Sequence, residues 1–164
     1  MRRMVERVEA ATVENLWGMS GSTLRRVMYF HSDPGWPADY RLDKDLHEPD
    51  QAVLLDAFPS GPILITWEMY GDDELLTVST ETQLVERGIS LPSCRRDVSL
   101  LKSWPAYVNS RIASASSVVS DWSDSSVRID FQGGAVRVSL GEWQANRLAY
   151  VPTALVVEFE PAPE

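Results

Sequence analysis

One cysteine, Cys94, and two histidines, His31 and His47, are the whole supply of thiol and imidazole groups in 164 residues. A lone thiol forms no internal disulfide and builds no cysteine-only metal site. Hydrophobic runs are short as well. No early apolar stretch of about 7–15 residues makes a signal-peptide core, and none of about 18 residues could span a membrane. The expectation is a soluble, cytoplasmic protein of bacterial type that engages no membrane. Positive charge is scarce too: 15 Lys and Arg face 24 Asp and Glu, a formal net charge of −9. Such a field repels nucleic acid and anionic lipid and suits a basic protein partner.

The acidity is uneven. Residues 1–87 carry 16 acids against 8 bases, whereas residues 88–164 carry 8 against 7. The length fits one domain, or two small halves fused through a shared core, and is enough to bury a sizeable interior without staples. The division read here is a first β-rich half, 1–87, containing an acidic loop at 32–50, and a second β-rich half, 88–164, as a structural repeat within one fused domain.

The strongest local signal lies at 127–140 (VRIDFQGGAVRVSL). Val127, Ile129 and Phe131 alternate with Arg128 and Asp130 before Gly133-Gly134, and Val136, Val138 and Leu140 alternate with Arg137 and Ser139 after it. Period-2 alternation on both sides of a Gly-Gly pair predicts a hairpin. Val53, Leu55 and Phe58, then Ser60-Gly61, then Ile63, Ile65 and Trp67 repeat the pattern with one extra residue near Ala57, a bulge or a longer turn. Ahead of each hairpin stands a strand, 24–31 and 112–119. Residues 2–16 suit a helix using Met4, Val5, Val8 and Ala11, stopped by Trp17-Gly18. Thr82 to Arg87 suits one helical turn, and Asp97 could cap a short helix ending at Trp104-Pro105. Trp17 and Trp104 hold matching places before the two strands, which predicts that each packs its own half.

The fold class expected is therefore mainly β (α+β): duplicated antiparallel β-meander or hairpin units with short helices, forming a sheet sandwich or a partly open barrel. Phe58-Pro59-Ser60-Gly61 and Phe131-Gln132-Gly133 resemble the hairpin turns of small duplicated bacterial β-meander domains of unassigned function, some of which occur among immunity proteins of polymorphic toxin systems. The resemblance covers about half the chain. It implies a β-rich fold and an immunity-type role, and it carries over no catalytic residue.

Candidate chemistry is thin. His31, Asp33, His47 and Glu48 are the only zinc-like grouping, but their spacing matches neither His-Glu-x-x-His nor a cysteine pair, and histidines flanking an acidic loop read as solvated turn residues. Asp39, Asp43, Asp45 and Glu48 lack the order of a calcium loop. No metal and no cofactor is expected. Gly18-Met19-Ser20-Gly21 is one residue short of a nucleophile elbow and follows a helix instead of a strand. Cys94 lies in the stretch between the halves, 88–96. Asp72-Asp73-Glu74 sits on a polar turn, where carboxylates stay solvated and poorly tuned for acid catalysis. Gly133-Gly134 is followed by no helix or lysine that would cradle phosphate. Arg128 and Arg137 form a basic pair facing each other across the hairpin.

The leading expectation is a non-enzymatic acidic binding protein, an immunity protein that neutralises a basic toxin partner by electrostatic steering followed by burial of aromatics. Its contact residues would be Trp36, Asp39, Tyr40, Asp43, Asp45, Asp72, Asp73 and Glu74. The alternatives are a small-molecule-binding β-barrel lined by tryptophans and a hydrolase using His31 and His47.

Overall fold

A computed structural model describes residues 2–31, 46–49, 51–71, 73–101, 103–118, 125–140 and 155–162. In chain order the elements are α1 (Arg2–Met19), β1 (Thr23–His31), β2 (Leu46–His47), β3 (Ala52–Phe58), β4 (Gly61–Tyr70), β5 (Asp73–Ser79), α2 (Glu81–Glu86), β6 (Cys94–Asp97), a 3₁₀ turn (Trp104–Ala106), β7 (Ile112–Val118), β8 (Ser126–Phe131), β9 (Gly134–Leu140) and β10 (Leu155–Pro161). They form two antiparallel five-stranded sheets, ordered β5-β4-β3-β1-β6 and β2-β10-β9-β8-β7. The sheets form a mainly β sandwich and do not close into a barrel.

Each sheet is a four-stranded meander plus one short strand lent by the other half. The meanders are β1-β3-β4-β5 and β7-β8-β9-β10. Cys94–Asp97 crosses back to pair with β1, and Leu46–His47 pairs with β10. Cys94 therefore stands in a strand, opposite His31, and the stretch read as a boundary stitches the halves together.

Both meanders begin alike. Leu24 is buried and followed by a bulge at Arg25, because Leu24 pairs with Ala57 and Arg26 with Asp56. Ile112 is buried and followed by a bulge at Ala113, because Ile112 pairs with Phe131 and Ser114 with Asp130. The strand starts bond to each other reciprocally. Leu24 N donates to Ser110 O (3.0 Å) and Ile112 N to Ser22 O (2.8 Å); Asn109 N donates to Leu24 O (2.7 Å) and Gly21 N to Ile112 O (2.8 Å). Gly21 and Asn109, equivalent in this exchange, both adopt left-handed backbone, with φ of 85° and 70°. Glycine and asparagine are the residues that tolerate that region best.

This register corrects the tryptophan reading. At the spacing that matches Leu24 to Ile112, the counterpart of Trp104 is Leu16, and that of Tyr107 is Met19. All four are buried, whereas Trp17 is 73% exposed. The cause is helical geometry: α1 runs on through Trp17-Gly18 to Met19 and buries Val8, Thr12, Leu16 and Met19. A residue next to Leu16 points about 100° away from that face, and Met4 is likewise half-exposed.

The hairpins hold, with the turns redefined. Phe131 pairs with Gly134, so Gln132-Gly133 makes the turn and Gly134 belongs to β9. Ala57 pairs with Gly61 in an unbroken β3–β4 ladder, so the extra residue lengthens the turn and makes no bulge there. The acidic turn is shorter than expected: Asp73 and Glu74 lie in the ladder, paired with Tyr70 and Met69. Asp97 caps a turn in place of a helix, its Oδ1 accepting from Ser99 N (2.9 Å) and Ser99 Oγ (2.6 Å). These two bonds hold its carboxyl below the usual carboxylate range.

Alternation places Val53, Leu55, Ile63, Ile65, Val78, Ile129, Val136, Val138 and Val157 in the core between the sheets. Phe30, Ala52, Leu64 and Leu84 form a second, smaller cluster beneath α2. α1 seals an edge of the first sheet. Thr12 Oγ1 accepts from Val78 N (3.0 Å) and Asn15 Nδ2 donates to Val78 O (2.9 Å), which satisfies outward backbone groups of edge strand β5. Asn15 Nδ2 also donates to Gln83 Oε1 (2.8 Å), inside the capping box that starts α2 at Thr80.

Candidate functional site

Of the eight expected contact residues, Trp36, Asp39, Tyr40, Asp43, Asp45 and Asp72 lie outside the described residues, as do Asp33, Trp122, Trp143 and the segment 148–151. Asp73 and Glu74 are in the β4–β5 ladder at the end of the first sheet where β1 finishes, since Phe30 pairs with Ala52, Ala52 with Thr66 and Tyr70 with Asp73.

Both histidines are interior, 5% exposed for His31 and 0% for His47, which corrects their reading as solvated turn residues. His31 follows Tyr29 by one full pleat on β1, and His47 is held by the pairing of β2 with β10. Tyr29 Oη lies 2.7 Å from His47 Nδ1, and Trp104 Nε1 donates to the same Oη at 2.7 Å. Edge-to-face contacts surround them: His47 to Phe159 at 4.9 Å and Trp104 to Phe159 at 5.0 Å. Indole nitrogen only donates, so the phenol oxygen must accept there. A strand of one half, a borrowed strand, the 3₁₀ turn and β10 thus meet on one buried phenol. Such a network fixes the sheets' relative position, and it holds the His47 imidazole away from solvent.

The second polar cluster lies on the outer face of the first sheet, beneath the end of α2. Arg87 Nε and Nη2 donate to Glu68 Oε1 and Oε2, each at 2.9 Å, a two-pronged pair with side chains 17% and 5% exposed. Arg87 Nη2 also donates to Ser79 Oγ (2.6 Å), Tyr70 Oη to Glu68 Oε1 (3.0 Å), and Thr77 Oγ1 to Glu68 Oε2. With the Thr77 proton spent on Glu68, Thr66 Oγ1 donates to Thr77 Oγ1 across 2.9 Å. Each oxygen of Glu68 thus accepts two hydrogen bonds, an arrangement that suits a structural role.

Burial and, after it, the charge and hydrogen bond of Glu68 push the Tyr70 phenol up to about 12, against an opposing pull from Arg87. A raised phenol pKa means that the fold favours the neutral form, while the unfolded chain ionises near its ordinary value of about 10. Stability should therefore be unaffected by Tyr70 below about pH 10 and fall as pH rises from there to about 12. Urea midpoints measured across this range should fall less steeply for Tyr70→Phe than for the parent. Parallel curves would show that Tyr70 ionises freely.

On the second sheet Arg128 and Arg137 are register partners, as expected, but they are not a free basic patch. Arg128 contacts Asp130 (3.0 Å) and Glu160 (2.5 Å), and Arg137 contacts Glu160 (3.4 Å). Among the described residues no three His, Cys, Asp or Glu side chains group as metal ligands.

The feature missed in the sequence is the solvent face of α1. Trp17 stands exposed there with Val13 one turn back, also exposed, and Glu14 beside it. The signal was present in the spacing of Val8, Thr12, Leu16 and Met19, which leaves Trp17 off the buried stripe. Comparisons with protein families, with characterised proteins and with solved structures return no match, so the reading rests on these residues themselves.

Proposed function

We propose that this chain is a non-enzymatic acidic binding protein whose partner is a basic protein, in the manner of an immunity protein that neutralises a toxin domain. The observation that carries the proposal is the charge distribution, 16 acids against 8 bases within residues 1–87. Such a field speeds encounter with a cationic surface and disfavours acidic competitors. Two further features support it. The imidazoles and the Glu68–Arg87 pair are committed to the interior, and Trp17 offers a large apolar side chain beside Glu14 on α1. An exposed tryptophan next to carboxylates suits a partner bearing arginine, which can stack on the indole while pairing with the acid.

The contact set proposed is Trp36, Asp39, Tyr40, Asp43, Asp45, Asp72, Asp73 and Glu74, extended by Trp17. The test is capture of partners from native lysate by the tagged protein at low salt, with a matched high-salt wash. One stoichiometric basic partner should be retained, be lost at high salt, and bind at least about tenfold more weakly to a D39K/D43K/D45K variant. Retention unaffected by salt and by charge reversal would remove the steering mechanism. Trp17→Ala should weaken the same complex without changing thermal stability.

A further inference from the structure

The outward side of α1 carries a stripe of its own. Arg3, Glu6, Ala10, Val13 and Trp17 recur at intervals of three and four residues, the spacing of a seam along one side of a helix. The stripe lies opposite the buried Val8, Thr12 and Met19, and it ends on two exposed apolar side chains, Val13 at 41% and Trp17 at 73%. We propose that this stripe is a dimerisation face whose occupant is the same helix of a second copy of the chain, running antiparallel. The inference goes beyond the basic partner proposed above and does not depend on it.

The order of charges selects that occupant. Residues 2–7 hold three bases, Arg2, Arg3 and Arg7, against the single acid Glu6; residues 8–19 hold two acids, Glu9 and Glu14, and no base. All six side chains are exposed. This order opposes what an isolated helix prefers. The macrodipole favours acids at the N-terminus and bases at the C-terminus, yet α1 has no acid in its first turn and no base in its last. The Arg2–Glu6 pair, at 3.3 Å, also runs in the less favourable sense, base before acid. Charges arranged against the helix's own stability point to a use outside it.

Two antiparallel copies supply that use, because the basic end of each helix meets the acidic end of the other. A parallel copy would set like against like, and a uniformly basic surface would suit only the half from Glu9 to Trp17. The same two-fold arrangement employs the apolar residues. Ala10 stands at the midpoint of α1, where a methyl group lets two helices approach closely. Trp17 of one copy then reaches the stretch of the second copy that carries Arg3, whose guanidinium can stack on the indole. Such a contact is isologous and closes at two copies.

Magnitudes make the dimer weak. The 18 residues of α1 span about 27 Å, and one helix pair of that length buries less than the roughly 800 Å² per partner of a stable complex. Copies of net charge −9 also repel at long range. A dissociation constant on the order of 10–100 μM follows. Trp17 belongs to both proposed surfaces, so a bound basic partner and the second copy exclude each other there.

The test is sedimentation of the purified full chain across concentration, which needs no other protein and so reads separately from partner capture. R3E/R7E, with α1 nearly all acidic, and E9K/E14K, with it nearly all basic, should each associate at least about tenfold more weakly than the parent. An equimolar mixture of the two should recover the parent's association as a heterodimer. The fourfold variant R3E/R7E/E9K/E14K, its charge order inverted, should recover it alone. Trp17→Ala should weaken association about tenfold. All these positions are exposed, and R3E/R7E should melt no lower than the parent, since an acid in the first turn suits the dipole. The E9K/E14K result separates local pairing from overall repulsion, because that variant moves the net charge toward zero and still should associate less. A parent that stays monomeric at about 1 mM, stronger association of E9K/E14K, or a fourfold variant that stays monomeric would overturn the proposal.

Discussion

Replacing Arg87 with methionine should lower the unfolding free energy by about 3 kcal/mol, one of the two largest single-residue effects expected in this protein. Removing one partner of a buried pair leaves the other charge without compensation, a loss of about 3–5 kcal/mol. The lower end applies because the Arg87 side chain keeps 17% of its exposure. Glu68 is the more deeply buried partner at 5%, so the stranded charge would be the carboxylate. Tyr70 and Thr77 would still donate to it, but neither carries positive charge, and Ser79 would lose its donor as well. The informative control is the double variant R87M/E68L. Buried ion pairs add little over a well-packed apolar replacement, so the double variant should be more stable than R87M alone. It should still fall short of the parent, because the Tyr70 and Thr77 hydroxyls lose their acceptor. Urea unfolding of all three proteins decides the point. If R87M costs less than about 1 kcal/mol, the pair behaves as a surface contact, and the enclosed view of this cluster fails.

Much of the fold was legible because period-2 alternation is imposed by the pleat itself. Val127, Ile129 and Phe131 had to share a face, and so did Val53 and Leu55. What could not be read was anything decided by one residue of register or by partners distant in sequence. Trp17 and Leu16 are adjacent, and only the continuation of α1 to Met19 determines which of them is buried. Asp97 carries the composition of a helix cap, but Cys94–Asp97 is claimed by the open edge of β1, and a strand pairing outweighs a weak local propensity. His31 and His47 flank an acidic stretch and read as solvated. His47 is interior because β2 is drawn onto β10 and because Tyr29, Trp104 and Phe159 converge from three other elements.

Gly133-Gly134 shows how much one position of register can matter, and Gly134→Ala should be the most damaging small substitution in the chain, at about 4 kcal/mol. Two independent costs coincide there. Gly134 has φ of 143°, outside the range that an L side chain adopts readily, a strain of about 1–3 kcal/mol. A Cβ at this position would also lie 2.8 Å from Tyr107 Oη, 3.0 Å from Pro161 Cα, and against the carbonyl oxygen of Glu160. Two of those obstacles are backbone of β10, which cannot swing aside as a flexible side chain would. Gly134 pairs with Phe131 on one side and Pro161 on the other, so relief would require moving the end of β10. That movement would travel inward. Tyr107 packs on Phe131 at 5.0 Å and on Phe159 at 6.0 Å, and Phe159 is the ring against which both Trp104 and His47 rest. Gly133 supplies the control, because nothing lies within 4 Å of a Cβ built there and its backbone is not left-handed. Gly133→Ala should therefore change stability by less than about 1 kcal/mol. For a chain of this size 4 kcal/mol corresponds to a fall in Tm of about 8–16 °C, so melting curves of the two variants should separate plainly. Equal curves would mean that β10 yields freely at Pro161, and that the aromatic cluster is held in place by the Tyr29, His47 and Trp104 bonds alone.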